Sequence, residues 1–293
     1  MDEKIKLYLE WSNVTLNTKM LTIRKLIEKT KQLKIPLGSY EQYFVNVLIN
    51  YRYKIILANY IKNNIAKKYF NYIPKTKDNY IGIEIECFAP LEKKEMINEL
   101  CKSKLIHFVE CVRDGSISPI EDHWGHELRI LSKEQDLSEN LKKIHKFLKK
   151  IKAKTNKSCG LHIHLDMRNK SKNQRIKCLK QLVYMQDLLF KLVNKNRSSN
   201  EYCRRTPKNY NYKTYSRYAV HLCKTGKETI EVRLHHGTTN MILVENWIKL
   251  LLAVINYKGK VVEIQNKTTL YNSKIKLPRG TRSYIERTYR RII

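Results

Sequence analysis

The chain has 293 residues, 42% hydrophobic and 29% charged, which suits one large domain with elaborations and excludes a low-complexity polymer. Its 58 lysines and arginines outnumber its 27 acids to give a formal charge of +31, which favours polyanionic partners such as nucleotide, phosphate or nucleic acid, although an A/T-rich coding bias would also enrich lysine. The longest apolar runs, such as 250–255, fall far short of the ~20 residues of a spanning helix, the start lacks the pattern of a secretory signal, and the seven cysteines contain no Cys-x-x-Cys pair, so the expectation is reduced thiols in a cytoplasmic protein with no membrane partner.

From Glu3 to about Tyr72, apolar residues recur at helical spacing (Leu21, Ile23, Leu26, Ile27; Phe44, Val45, Leu48, Ile49), with a break at Pro36–Ser39 and an end at Pro74. This basic, tyrosine-bearing segment has no cluster suited to catalysis and reads as a helical packing or docking extension.

After Asn79 the period changes from helical to alternating, and each strand so marked carries charge on its polar face. Ile81, Ile83 and Ile85 alternate with Glu84 and Glu86; Leu128 and Ile130 with Glu127 and Arg129; Leu161, Ile163 and Leu165 with His162, His164 and Asp166. Tyr218, Val220 and Leu222 alternate with Arg217 and His221; Ile230, Val232 and Leu234 with Glu231, Arg233 and His235. Helical spacing marks 92–101, 137–153, 172–194 and 241–256 as covering helices. The fold expected is therefore α+β: a mostly antiparallel sheet with a charged active-site face, helices packed on the other face, and an N-terminal helical extension. The divisions are 1–75, 76–265 and a basic, solvated C-terminal tail over 266–293.

A strand sets Glu84 and Glu86 side by side, about 7 Å apart at ~3.4 Å rise per residue. Such a pair suits a divalent cation, and an oxygen-rich set suits Mg²⁺ or Mn²⁺. His162 and His164 share a face in the manner of imidazoles aimed at a metal or a phosphate. In Glu231-Val232-Arg233 the carboxylate could hold metal while the guanidinium takes phosphate oxygens. Arg197, Arg204, Arg205 and Arg217 offer further anion contacts, although Arg204 and Arg205 are adjacent and need not both point inward. Asp114-Gly115-Ser116 is also a turn sequence in its own right. P-loop, Rossmann and serine-hydrolase signatures are absent from the sequence.

Taken in order, these motifs resemble the amidoligase family, carboxylate-amine ligases related in fold to glutamine synthetase and glutamate-cysteine ligase. Gly82-Ile83-Glu84-Ile85-Glu86 resembles the family's G-x-E-x-E, Asp114-Gly115-Ser116 its D-G-S, and Glu127 its lone strand glutamate. Cys159-Gly160-Leu161-His162-Ile163-His164 resembles its C-G-x-H-x-H, and Glu231-Val232-Arg233 its E-x-R. The resemblance spans about 79–257 and leaves both basic ends outside it; it departs after Glu127, where Leu128-Arg129 replace the family's tendency toward a small residue and proline.

The resemblance implies an ATP-dependent carboxylate-amine ligase working through an acyl phosphate, with amino-acid or peptide carboxylates and amines as substrates. Glu84, Glu86, Glu127, Glu231 and one of His162 or His164 would hold Mg²⁺ or Mn²⁺. Arg233 and Arg217 would stabilise the transferring phosphoryl, with Arg197 and Arg204 binding nucleotide, and Asp114 would serve as base or ammonium binder. Two other readings stand beside it: a nucleic-acid-binding or virion-associated protein of viral or phage origin on a ligase-like scaffold, and a zinc hydrolase using His162 and His164. Oligomeric state and the identities of the acid and amine are left open.

Overall fold

The structure, a computed structural model, describes residues 78–209, 217–223 and 228–290. The helical extension expected over residues 1–75 lies outside the described residues. Six antiparallel strands form one open sheet in the order β2-β3-β1-β4-β6-β5. They are β1 (Tyr80–Ala89), β2 (Val109–Val112), β3 (Trp124–Lys133), β4 (Gly160–Asp166), β5 (Val220–Leu222) and β6 (Thr229–His236). Among the described residues six α-helices accompany them: α1 (Lys93–Lys102), α2 (Leu137–Lys150), α3 (Lys172–Lys191), α4 (Met241–Ile255), α5 (Lys267–Asn272) and α6 (Arg279–Arg290). Among the described residues no helix is long and apolar enough to cross a membrane.

The sheet has the two faces that the alternation demands. Ile81, Ile83 and Ile85 of β1 lie between Leu128 and Ile130 of β3 and Leu161, Ile163 and Leu165 of β4, all within 4% of complete burial. Helices α2, α3 and α4 pack over this side; α2 presents Leu141, Ile144, Phe147 and Leu148 as one apolar stripe. The α4 sequence is apolar nearly all round, and it is enclosed accordingly, meeting α2, α3 and α6 as well as His235 of β6.

Local chemistry sets the helix ends. Ser171 caps α3, accepting from the Gln174 N–H while the Gln174 side chain accepts from the Ser171 N–H. Ser171→Ala is expected to cost about 1 kcal/mol of stability, read as a lower denaturation midpoint with an unchanged slope in urea. Helix α2 stops at Lys150, short of the expected 153, because Lys152 takes a left-handed φ of 52° and the Ala153 N–H turns back to the Leu148 carbonyl.

Two expectations need correction. The basic tail is not a solvated arm: Lys267, Arg279, Arg282 and Arg287 lie on α5 and α6, while Leu270, Thr281, Tyr284 and Ile285 are buried and α6 packs on α4. His235 is not on the charged face. A bulge shifts the β4–β6 register, so that Ile163 faces Val232 but Leu161 faces His235. The extra residue on β6 turns His235 to the helical side, where its ring meets Trp247 of α4 edge-on at 5.1 Å.

Candidate active site

The other face of the sheet is a cleft of about 350 Å³ whose walls include Glu84, Glu86, Asp114, Glu127, Arg129, His162, His164, Arg197, Glu231 and Arg233. Four neighbouring strands build it, each through residues two apart: Glu127 and Arg129 on β3, Glu84 and Glu86 on β1, His162 and His164 on β4, Glu231 and Arg233 on β6. Register fixes who meets whom. Glu86 stands opposite Glu127, Glu84 opposite both Arg129 and His162, and His164 opposite Glu231. Cross-strand partners carry their Cβ atoms about 5 Å apart, so their side chains must interact.

These acids are buried, each at most 6% exposed, and buried charge needs a partner. Arg129 binds Glu127 and lies 3.8 Å from Glu84; Arg233 binds Glu231. His162 sits between two carboxylates, its Nδ1 3.0 Å from Glu84 Oε2 and its Nε2 3.4 Å from Glu86 Oε1. His164 Nε2 lies 3.2 Å from Glu84 Oε1. Burial would raise the Glu84 carboxyl, but the charge of His164 and the hydrogen bonds of both histidines outweigh it and hold Glu84 well below the usual carboxylate range. Glu231 is lowered in the same way against its burial, by His164 and by a hydrogen bond from His221. His164 is raised well above the usual imidazole value: its burial opposes the charged form, and the carboxylates of Glu231 and Glu84 overcome it.

Glu127 goes the other way. Burial and the charge of Glu84 push its carboxyl up to about 7 despite Arg129. It faces Glu86 directly, and Asp114 from the loop after β2 joins them, one oxygen of each lying within 4.8 Å of the others. Glu84, Glu127 and His162 form a second such group. Donor sets of carboxylate oxygens with at most one imidazole are hard, and they fit Mg²⁺ or Mn²⁺ better than a thiolate-seeking metal.

Gly160 shows why this strand begins with glycine. Its N–H donates to Glu86 Oε2 at 2.5 Å, and a Cβ there would come within 3.0 Å of His162 Nε2 and 3.3 Å of Glu86 Oε2. Arg197 is buried beside them and donates from Nε and Nη2 to the carbonyls of Leu234 and Arg233, which the bulge in β6 turns out of the ladder. Asp114 Oδ1 accepts from the N–H and hydroxyl of Ser116, so the aspartate both makes the turn and lines the cleft.

Of the residues singled out by sequence, Glu84, Glu86, Asp114, Glu127, His162, His164, Arg197, Glu231 and Arg233 converge on the cleft. Arg204 and Arg217 do not line it. Arg204 is exposed and its backbone bridges to Tyr218; the Arg217 side chain is 44% exposed, lying over the Tyr202 ring and 3.5 Å from Glu201. Residues not assigned from sequence also line the cleft: Arg129, Ser116, Ser158, Asn200 and Tyr202. Arg129 had a usable signal, since Glu127-Leu128-Arg129 repeats the Glu-x-Arg spacing of Glu231-Val232-Arg233. His221 and Cys223, on and just after β5, also reach this face beside Glu231.

A protein-family model described as "Putative amidoligase enzyme" matches residues 9–222. The match includes the segment expected to fall outside the resemblance at the N-terminal end, and it stops before Glu231. No curated protein matches the chain.

Proposed function

Because this chain belongs to the amidoligase family, we propose that it is a ligase that uses ATP and a divalent cation, Mg²⁺ or Mn²⁺, to join a carboxylate to an amine. In this reading the γ-phosphoryl group of ATP passes to the substrate carboxylate, and the amine then displaces phosphate from the acyl phosphate to leave an amide. The observation that carries the proposal is the row of four strands delivering Glu-x-Arg, Glu-x-Glu, His-x-His and Glu-x-Arg to one cleft.

Glu84, Glu86, Glu127 and His162 are the residues that would hold the cation at the β1–β3 end, with Asp114 beside them. A divalent ion there supplies neutralisation of phosphate oxygens and polarisation of the transferring group. The rest falls to the protein. Arg129 and Arg233 bring positive charge to opposite sides of the cleft, and their ion pairs to Glu127 and Glu231 fix where that charge sits. Arg197 holds the β6 bulge in place beneath them. Asp114, half-buried and lining the cleft, is suited to receive an ammonium group or its proton. Arg204 and Arg217 are given no part. Carboxylates at both nitrogens of His162 favour a hard cation site over an open zinc hydrolase centre.

The test is ATP consumption by the full chain with Mg²⁺, with and without a pooled mixture of amino acids and short peptides. ADP formation that requires both Mg²⁺ and the mixture is the expected result. ATP hydrolysis indifferent to the mixture, or no nucleotide binding, would overturn the proposal.

A further inference from the structure

We propose that the β5 end of the cleft is a second cation site, of softer character, which takes a zinc-class transition metal through His164, His221, Cys223 and Glu231. Three adjacent strands put these residues in a row. His164 on β4 faces Glu231 on β6, Glu231 faces His221 on β5, and Cys223 follows His221 by two residues. His164, Cys223 and Glu231 each offer one donor atom within 4.8 Å of the other two. The separations lie within a few tenths of an ångström of a metal polyhedron. Cys223 Sγ is 3.7 Å from His164 Nδ1 and 3.7 Å from Glu231 Oε2, and His221 Nε2 is 3.1 Å from Glu231 Oε2. Tetrahedral zinc, with Zn–S near 2.3 Å and Zn–N or Zn–O near 2.0 Å, spaces its donors roughly 3.3–3.6 Å apart.

The outer contacts have the form that metal-binding histidines use. Glu84 Oε1 lies 3.2 Å from His164 Nε2, which leaves Nδ1 on the side of Cys223, where the Thr229 hydroxyl also approaches it at 3.3 Å. His221 Nδ1 lies 3.3 Å from the Tyr218 carbonyl, so that donation there leaves Nε2 as the ligating atom. A set of one sulfur, two imidazoles and one carboxylate is the opposite of the hard oxygen set around Glu86, Asp114 and Glu127. The two ends of the cleft therefore select different ions. Zinc bound here would also clamp β5, only three residues long, to its neighbour.

The site lies in the same cleft as the ligase proposal and shares Glu231 with it, as the partner of Arg233, but its test needs no turnover. Metal-free full-length protein is titrated with Co²⁺. The expected result is a thiolate-to-cobalt charge-transfer absorption that saturates at one equivalent, displaced by Zn²⁺ and unaffected by Mg²⁺. That absorption should vanish in Cys223→Ser and persist in Cys101→Ser, and Zn²⁺ affinity should fall more than about 100-fold in Cys223→Ser. If Cys223→Ser does not fold, alkylation of the wild type decides: Zn²⁺ should protect the thiol of Cys223 and Mg²⁺ should not. No charge-transfer absorption, absorption that survives in folded Cys223→Ser, or alkylation of Cys223 indifferent to zinc would overturn the inference. Loss of ATP turnover with cobalt binding intact would leave it standing and count against the ligase alone.

Discussion

Glu84→Gln is expected to lower Mg²⁺-dependent ATP turnover about a thousandfold while the protein stays folded. Glu84 is the central acid of the cleft, in contact with His162 and His164 and 3.8 Å from Arg129. Glutamine keeps the volume and one acceptor oxygen but removes the charge. Cation binding at a phosphoryl-transfer centre is worth several kcal/mol in the transition state, and at about 1.4 kcal/mol per tenfold a loss of about 4 kcal/mol gives this factor. Glu84 serves the charged face; the aliphatic face opposite is untouched by the change. The measurement is kcat with saturating Mg²⁺ beside a circular dichroism spectrum. Near-normal turnover would remove Glu84 from the chemistry, and an unfolded variant would make it a structural residue.

The second large effect belongs to Glu127, and it runs against intuition: Glu127→Gln should stabilise the metal-free protein at pH 8 by about 2–3 kcal/mol. The folded protein raises this carboxyl from 4.5 to about 7, through burial first and the charge of Glu84 second. A raised carboxyl helps folding fully below its ordinary value and loses that help as pH climbs through 7. At about 1.4 kcal/mol per pKa unit, the shift amounts to about 3.5 kcal/mol at most. Glutamine does not titrate, so the difference between variant and wild type should be near zero at pH 4.5, grow between 4.5 and 7, and level off above. Thermal or urea unfolding across that range checks it. Saturating Mg²⁺ should stabilise the wild type more than the variant, which lacks one ligand, because the cation supplies what the proton otherwise does. A flat difference with pH would show that Glu127 is already balanced by Arg129.

The strands and their faces were legible because a period of two is a local property. Ile83 between Glu84 and Gly82 declares its side of the sheet whatever the rest of the chain does. The same logic read Glu84, Glu86, His162, His164 and Glu231 onto one face, and their order along the chain resembled the family whose model matches residues 9–222. Arginines in loops obey no such rule. Arg197 turns inward to carbonyls that a bulge has freed, while Arg217 lies out over Tyr202; nothing local separates them. Tyr284 and Ile285 were overlooked because the basic residues around them set the average of the segment, whereas burial depends on which face α4 covers. His221 and Cys223 were visible as residues, but their meaning depended on Glu231 across the strand pair.

The bulge in β6 has a consequence for how this protein can vary. A strand is a two-track record, and one extra residue switches the tracks: upstream, Glu231 serves the cleft; downstream, His235 serves the interior beneath Trp247. That imidazole is held down to about 3, first by burial and then by His236 and Arg197, so it belongs on the dry side. Gly237 follows so close to Cys159 that an added Cβ would meet its Cβ at 2.4 Å. Substitution can retune either track one residue at a time, but deleting a single position between Val232 and His235 would be a frameshift in space. It would exchange the two faces from there to α4, so the length of this strand is less free to change than its letters.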